Sequence, residues 1–216
     1  MIRREPGRVR DLAELIFGFG LILAIIWMPD SLQRIFSPIA LIVTASVVLA
    51  RLRSPDELGL GAQGFLRSLW ILPATLALIF LSMWIAKSLG TLHALYKGDL
   101  AHVSGYILWT IYQQFLLQDY FMPRLLRLLP DPARAVSMAA VLFAVAHLPN
   151  LTLTAVTLVW GAVSCLLFRR YRNLWALGLA QGLLGLGFAV CVPDALHHHL
   201  RVGLGYLRYR SVQPVP

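Results

Sequence analysis

The sequence predicts an all-α polytopic membrane helix bundle of about seven to eight spans. Three observations carry this expectation: the composition, the lengths of the uncharged stretches, and the placement of the basic residues. Of 216 residues, 58% are hydrophobic and 13% charged, against roughly 25% charged in soluble domains. Mean hydropathy is +0.71. Uncharged stretches run Leu15–Pro29, Ile35–Ala50, Ser68–Ala86, Leu100–Gln118, Ala135–Phe168 and Asn173–Pro193. A helix crossing the hydrocarbon needs about 20 apolar residues, with a range of about 17–25. Ala135–Phe168 is too long for one crossing, and Pro149-Asn150 divides it at a turn. Seven crossings result, with an eighth short element near the C-terminus.

The net charge of +9 is not the footprint of a nucleic-acid binder, because the cations cluster between spans instead of along one face. Arg3, Arg4, Arg8 and Arg10 precede the first span. Arg51, Arg53 and Arg67 follow the second, Arg124, Arg127 and Arg134 the fourth, and Arg169, Arg170 and Arg172 the sixth. The alternate connections hold Arg34, Lys87 and Lys97. This bias puts the N-terminus in the cytoplasm and implies a multi-pass protein of the cell membrane. Seven spans leave Arg201, Arg208 and Arg210 outside, and an eighth brings them back. The N-terminus lacks a cleavable-signal pattern, so the first span is expected to remain in the mature protein.

Along the chain, residues 1–11 read as a cytoplasmic N-terminal segment, 12–210 as one membrane domain and 211–216 as a disordered tail. Trp27, Trp70, Trp84 and Trp175 fall near span ends, as in an aromatic belt. Ser54–Gly64 has the residues of a surface connection, Gly98-Asp99 opens the fourth span, and Asp131 is placed to cap the helix after Pro130. Cys165 and Cys191 lie in apolar runs and read as small hydrophobes. Crossing segments must be helical, since open strands leave backbone groups unsatisfied in lipid.

Function is best sought where polar side chains stand among apolar ones, because each is costly in lipid. Gln113, Gln114 and Gln118 share the fourth span. Gln114 and Gln118, four apart, lie on one face, and Gln113 is one position round, so the three can border one interior cavity or act as interhelical glue. Asp119 is the acid of this patch, either buried or at the helix end near Arg124. Phe143 and His147 share a face where the fifth span ends. Gln181 stands among Gly178, Gly182 and Gly185, which permit close helix approach. Asp194 and His198, four apart, can pair or share a metal, although consecutive His197, His198 and His199 do not form a three-ligand face.

These motifs resemble the CPBP family, the CAAX-protease and bacteriocin-processing intramembrane endopeptidases. Gln113-Gln-Phe-Leu-Leu-Gln118 through Arg124-Leu125 aligns without a gap on the family's EExxFRGxxxxRL run. Phe143–His147 matches FxxxH, Gln181–Gly185 stands at HxxxN, and Glu57-Leu-Gly-Leu60 is similar to an upstream family element. The resemblance covers about residues 54–190 and implies a peptide-hydrolysing site in the membrane. Gln113 and Gln114 replace both glutamates, Gln118 the arginine, Gln181 the second histidine and Gly185 the asparagine, leaving His147. An amide orients water or peptide but accepts no proton. Arginine beside uncharged amides would be a buried unpaired charge, so the replacement at 118 reads as compensatory.

Two functions follow. One is an intramembrane endopeptidase, with His147 as base, Gln113 and Gln114 orienting water or substrate, and Gln181 stabilising the oxyanion. Gln118, Asp119 and Asn150 would then contact substrate. The other is a catalytically degenerate scaffold holding a membrane-anchored or lipidated peptide. In either case the partners are the lipid bilayer and a membrane-anchored peptide or protein, not nucleic acid. The sequence names no particular cofactor, and no metal site is read. A transporter or channel would suit a cavity lined by Gln and His, but no internal repeat or paired broken helices accompany it. Gln113 lies midway across the membrane and His147 near the end of a short span. The two meet only if the Leu148–Asn150 turn is embedded in the protein.

Overall fold

The computed structural model describes residues 6–50, 55–96 and 98–209. Arg3, Arg4, Arg51, Arg53, Lys97, Arg210 and the tail Ser211–Pro216, all used in the sequence reading, lie outside the described residues. Among the described residues the fold is all-helical, with no strand. An N-terminal hairpin pairs α1 (Pro6–Ile26) with α2 (Asp30–Leu49). A short α3 (Ala62–Ser68) leads into α4 (Ile71–Ser88). Next, α5 (Leu100–Phe115) passes without a break through six residues of π-helix (Leu116–Phe121) into α6 (Met122–Leu128). The chain continues through α7 (Pro132–Val145), α8 (Leu151–Tyr171), α9 (Leu174–Cys191) and two short C-terminal helices, α10 (Asp194–His197) and α11 (Gly203–Leu207).

The chain is a membrane protein: α2, α4, α8 and α9 are long and apolar enough to cross a bilayer, and α7 is apolar but shorter. Large apolar side chains such as Phe80, Trp84 and Leu108 are exposed on the outside of the bundle, where lipid replaces water as the contacting solvent. Side-chain caps set several helix starts. Asp99 accepts from the His102 N–H at 3.1 Å, Asp131 from Arg134 at 2.8 Å, Asn150 from Leu153 at 3.1 Å and Asn173 from Ala176 at 2.8 Å. Each satisfies one of the amides a helix leaves open at its N-terminus.

The core is built by α5 lying along α9, α9 along α4, and α7 along α8. The glycines of α9 permit the first contact. A Cβ at Gly178 would collide with Ile111, and one at Gly182 would stand 3.0 Å from the Thr110 hydroxyl. That hydroxyl donates to the Gly178 carbonyl at 2.9 Å. Small residues thus let the helix carrying the glutamines and the helix carrying Gln181 approach closely.

Polar contacts divide the bundle into two ends. At one end Arg127 grips Asp11 through two bonds of 2.7 and 2.8 Å, and the Arg8 guanidinium donates to Leu128 O at 3.1 Å. Arg172 donates to the Glu57 carbonyl at 2.6 Å, and the Leu174 N–H to Gly59 O at 2.9 Å. At the other end, the Gly203 N–H donates to the Leu148 carbonyl at 2.8 Å, and Asn150 donates to the carbonyls of His197 and Arg201 at 2.8 and 3.0 Å.

Candidate functional site

Four glutamines from three stretches of chain form one hydrogen-bonded series. Gln118 Nε2 donates to Gln114 Oε1 at 3.0 Å, and Gln114 Nε2 donates to Gln181 Oε1 at 2.6 Å. Gln181 Nε2 in turn donates to Gln113 Oε1. The direction of the series follows from its one unambiguous member. Trp160 Nε1 can only donate, and it meets Gln181 Oε1 at 3.0 Å, which fixes the oxygen of Gln181 on that side. Every other amide orientation then follows from its neighbour. Gln118 also reaches the Ser164 hydroxyl at 3.4 Å. Gln114 is fully buried and Gln118 nearly so.

The series begins deep in the bundle and ends at a cavity of about 960 Å³. Gln113, Gln181, Trp160 and His147 all line this cavity, with Tyr112 beside them. Tyr112 shares a 2.7 Å hydrogen bond with Thr44 of α2. Most of the remaining wall is aliphatic and aromatic. Gln113 spends its oxygen on Gln181 and keeps its two N–H donors free of any bond among the described residues.

His147 follows the last turn of α7. Its Nδ1 lies 2.7 Å from the Phe143 carbonyl. A carbonyl only accepts, so Nδ1 carries the hydrogen and the lone pair of the neutral ring sits on Nε2. Nε2 has no hydrogen bond among the described residues. The Phe143 ring packs edge-on against the imidazole, with centroids 4.9 Å apart. The turn that follows is embedded. His147 is buried and Asn150 wholly so, beneath the C-terminal loop that accepts the Asn150 amide protons.

Gln114, Gln118, Asp119 and Asn150 stand outside the cavity lining. Asn150 spends its oxygen capping α8 and its nitrogen on the C-terminal loop, so its side chain is structurally committed. Asp119 lies within the π-helical segment with Oδ2 unpartnered among the described residues, as is Gln118 Oε1. It makes no ion pair with Arg124. That guanidinium, 2% exposed, goes instead to Glu14 Oε2 at 2.7 and 2.9 Å, to the Tyr120 carbonyl, and over the Tyr120 ring at 3.9 Å. A Cβ at Gly185 would collide with the Tyr106 hydroxyl, so a larger residue there would displace that ring.

Sequence reasoning missed Trp160, Ser164 and Tyr106. Trp160 and Ser164 are four apart on α8, so a shared face was available as a signal, but both sit in a run that reads as lipid-facing. The expected pairing of Asp194 with His198 is replaced by another. α10 ends at His197, and His198, His199 and Leu200 all adopt left-handed φ of 48–58°. Asp194 therefore meets His199 Nδ1 at 2.5 Å, and the Tyr209 hydroxyl donates to it at 2.5 Å. Among the described residues no group of three His, Cys, Asp or Glu side chains is arranged to hold a metal.

A helical membrane protein with an internal amide series ending at a histidine-lined cavity is the class that fold and site define. Residues 100–186 match the family described as Type II CAAX prenyl endopeptidase Rce1-like. The similarity to that family is confined to this segment. The match spans α5 to most of α9 and includes Gln113, Gln114, Gln118, His147, Trp160, Ser164 and Gln181. No curated protein and no solved structure is matched by the chain.

Proposed function

We propose that the cavity receives a membrane-anchored or lipidated peptide and holds it by neutral hydrogen bonds, on a CAAX-protease-like scaffold that has exchanged acid–base chemistry for binding. The observation that carries this is the amide series itself. All four of its linked side chains are amides, and among the described residues the cavity wall beside His147 includes no carboxylate. Neutral amides bind a peptide backbone from both sides, since each offers an oxygen and an N–H pair. The aliphatic wall suits a lipid chain. The proposal also keeps the N-terminus in the cytoplasm and the chain in the cell membrane, supported by the arginine-rich connections at the α1–α6 end.

His147 favours a second reading, hydrolysis. Its Nε2 lone pair is uncommitted, so it can take a proton from a water that attacks the peptide carbonyl and return that proton to the leaving amine. The free Gln113 N–H pair can hold the oxyanion. Purified protein in liposomes, a panel of membrane-anchored peptides and the His147→Ala variant separate the two. The binding reading expects retained peptide, no cleavage, and weaker retention in Gln113→Ala. Cleavage by the unaltered chain that disappears in His147→Ala would establish hydrolysis instead.

A further inference from the structure

The cavity extends away from His147 toward the other end of the bundle. Trp70, Ala74 and Leu78 line it from the α4 side, and Val163 and Leu167 from α8. α4 lies along α9, and α8 along α7, so a slot with apolar walls remains between α4 and α8. Leu78 and Val163 are exposed as well as cavity-lining, which opens the slot to lipid. At its end the Trp70 ring meets the Tyr171 ring edge-on, with centroids 6.1 Å apart.

Beyond that contact the surface is basic. α3 abuts the end of α8, because a Cβ at Gly64 would stand 2.7 Å from the carbonyls of Tyr171 and Arg172. Arg67 follows Gly64 by one helical turn and so shares its face. Arg169 and Arg170 close α8, and the Arg170 guanidinium lies 5.7 Å from the centre of the Tyr171 ring. Arg67, Arg169 and Arg170 are all exposed, and none enters an ion pair among the described residues. Arg172 is committed elsewhere, to the Glu57 carbonyl at 2.6 Å and over the Phe168 ring at 5.1 Å. The acids of this corner, Asp56 and Glu57, belong to the turn Pro55–Leu58 that Arg172 holds. Exposed leucines flank the arginines: Leu66 and Leu69 beside Arg67, and Leu166 one turn before Arg170.

We propose that this corner holds the phosphate of an anionic phospholipid from the surrounding leaflet, with Arg67 and Arg170 as its counter-charges and one acyl chain in the slot between α4 and α8. Two helices each supply a guanidinium, and a phosphodiester has two free oxygens to meet them. Basic sites at the cytoplasmic ends of spanning helices favour anionic headgroups, and Trp70 stands at the interfacial level where such headgroups lie. An acidic protein would satisfy the arginines and leave the slot and the leucines uncovered. A lipid covers all three. The inference goes beyond the peptide-binding reading and does not depend on it, since it concerns the end of the cavity away from His147.

The test places the full chain in phosphatidylcholine vesicles that contain phosphatidylglycerol as the minor lipid. Bromine on the acyl chains of one lipid or the other quenches the Trp70 indole, whose share of the fluorescence is the difference from Trp70→Phe. At equal content, brominated phosphatidylglycerol is expected to quench Trp70 more strongly than brominated phosphatidylcholine. Arg67→Gln and Arg170→Gln should each cut that preference about fivefold, the scale of one cation at a lipid surface. Arg134→Gln, at an exposed arginine of α7 paired with Asp131, should leave it unchanged. Ala74→Phe, which fills the slot, should lower quenching by brominated phosphatidylglycerol. Equal quenching by the two lipids, or a preference that survives both arginine substitutions, overturns the headgroup site. Quenching that Ala74→Phe does not alter overturns the seat of the chain. A preference abolished by inorganic phosphate, and kept in chloride of the same ionic strength, overturns the lipid as occupant in favour of the free anion.

Discussion

The amide series and the clamp between α1 and α6 solve the same problem in opposite ways. Each places polar side chains inside a membrane protein, where an unpaired group has a high cost. The clamp keeps its charges and pairs them: Arg124 with Glu14, and Arg127 with Asp11. The series keeps no charge, and Gln118, Gln114, Gln181 and Gln113 are linked amide to amide. Neither region is mixed. Charge is either balanced within hydrogen-bond distance or absent from every linked position. The amides at 113, 114, 118 and 181 thus form one network.

The sharpest way to break the comparison is to unbalance the clamp. Glu14→Ala leaves the buried Arg124 without its carboxylate and should lower stability by about 3–5 kcal/mol, read as a fall in thermal midpoint in detergent. A change no larger than that of an exposed-site control would show that the clamp is ornamental. Removing the acceptor of the series should do less. Gln181→Leu strips Trp160 Nε1 and Gln114 Nε2 of their partner at an expected cost of about 1–3 kcal/mol, and Gln181→His should recover part of it.

A third change tests whether the series is a unit. Gln114→Glu and Gln118→Arg, each alone, introduce a buried charge without a counter-charge, whereas the double variant supplies both. A double-mutant cycle should therefore show favourable coupling of about 1–3 kcal/mol. Additive effects would mean that the two sites are independent.

The smallest expected effect lies outside the membrane, at His93. The carbonyls of Ala94 and Val192, with Asp194 adding to them, hold its pKa above the ordinary 6.5. A raised pKa means a contribution fully present below about 6.5 and lost as pH rises through the higher folded value. Hydrogen exchange in residues 91–96 should speed up across that window, beyond its intrinsic pH dependence. The His93→Gln variant should lose the extra increase. Identical profiles would remove His93 as the cause. A related signature is the Tyr209 phenol. Burial and the Asp194 carboxylate push it up to about 12, so it should ionise after the ordinary tyrosines, and Tyr209→Phe should reduce the amplitude of the late step.

Much of this was legible in the sequence because helices repeat locally. The i,i+4 spacing of Gln114 and Gln118 and that of Phe143 and His147 follow from helix geometry, and both pairs touch. The stripe Gly178, Gly182 and Gly185 announces a close neighbour but not which one. The clamp was not legible. Asp11 with Glu14 and Arg124 with Arg127 are matched three-residue spacings, yet nothing local says that positions more than 100 apart meet. Asp119, five residues from Arg124, was the nearer candidate, and the lengthened π-helical stretch after Leu116 re-aims the side chains there. Trp160 was hidden for a related reason. In an apolar helix, a donor that bonds across the interior and one that faces lipid are spelled alike.

The loop from Asp194 to Gly203 closes over the turn that carries His147, through the Asn150 amide and the Leu148 carbonyl, and Gly203 itself rests against the Ile26 carbonyl. Among the described residues all the long helices precede it in the chain. During synthesis those helices can enter the bilayer and pair while the histidine turn is still uncovered, and the cavity reaches its finished form only when these late residues fold back across the bundle.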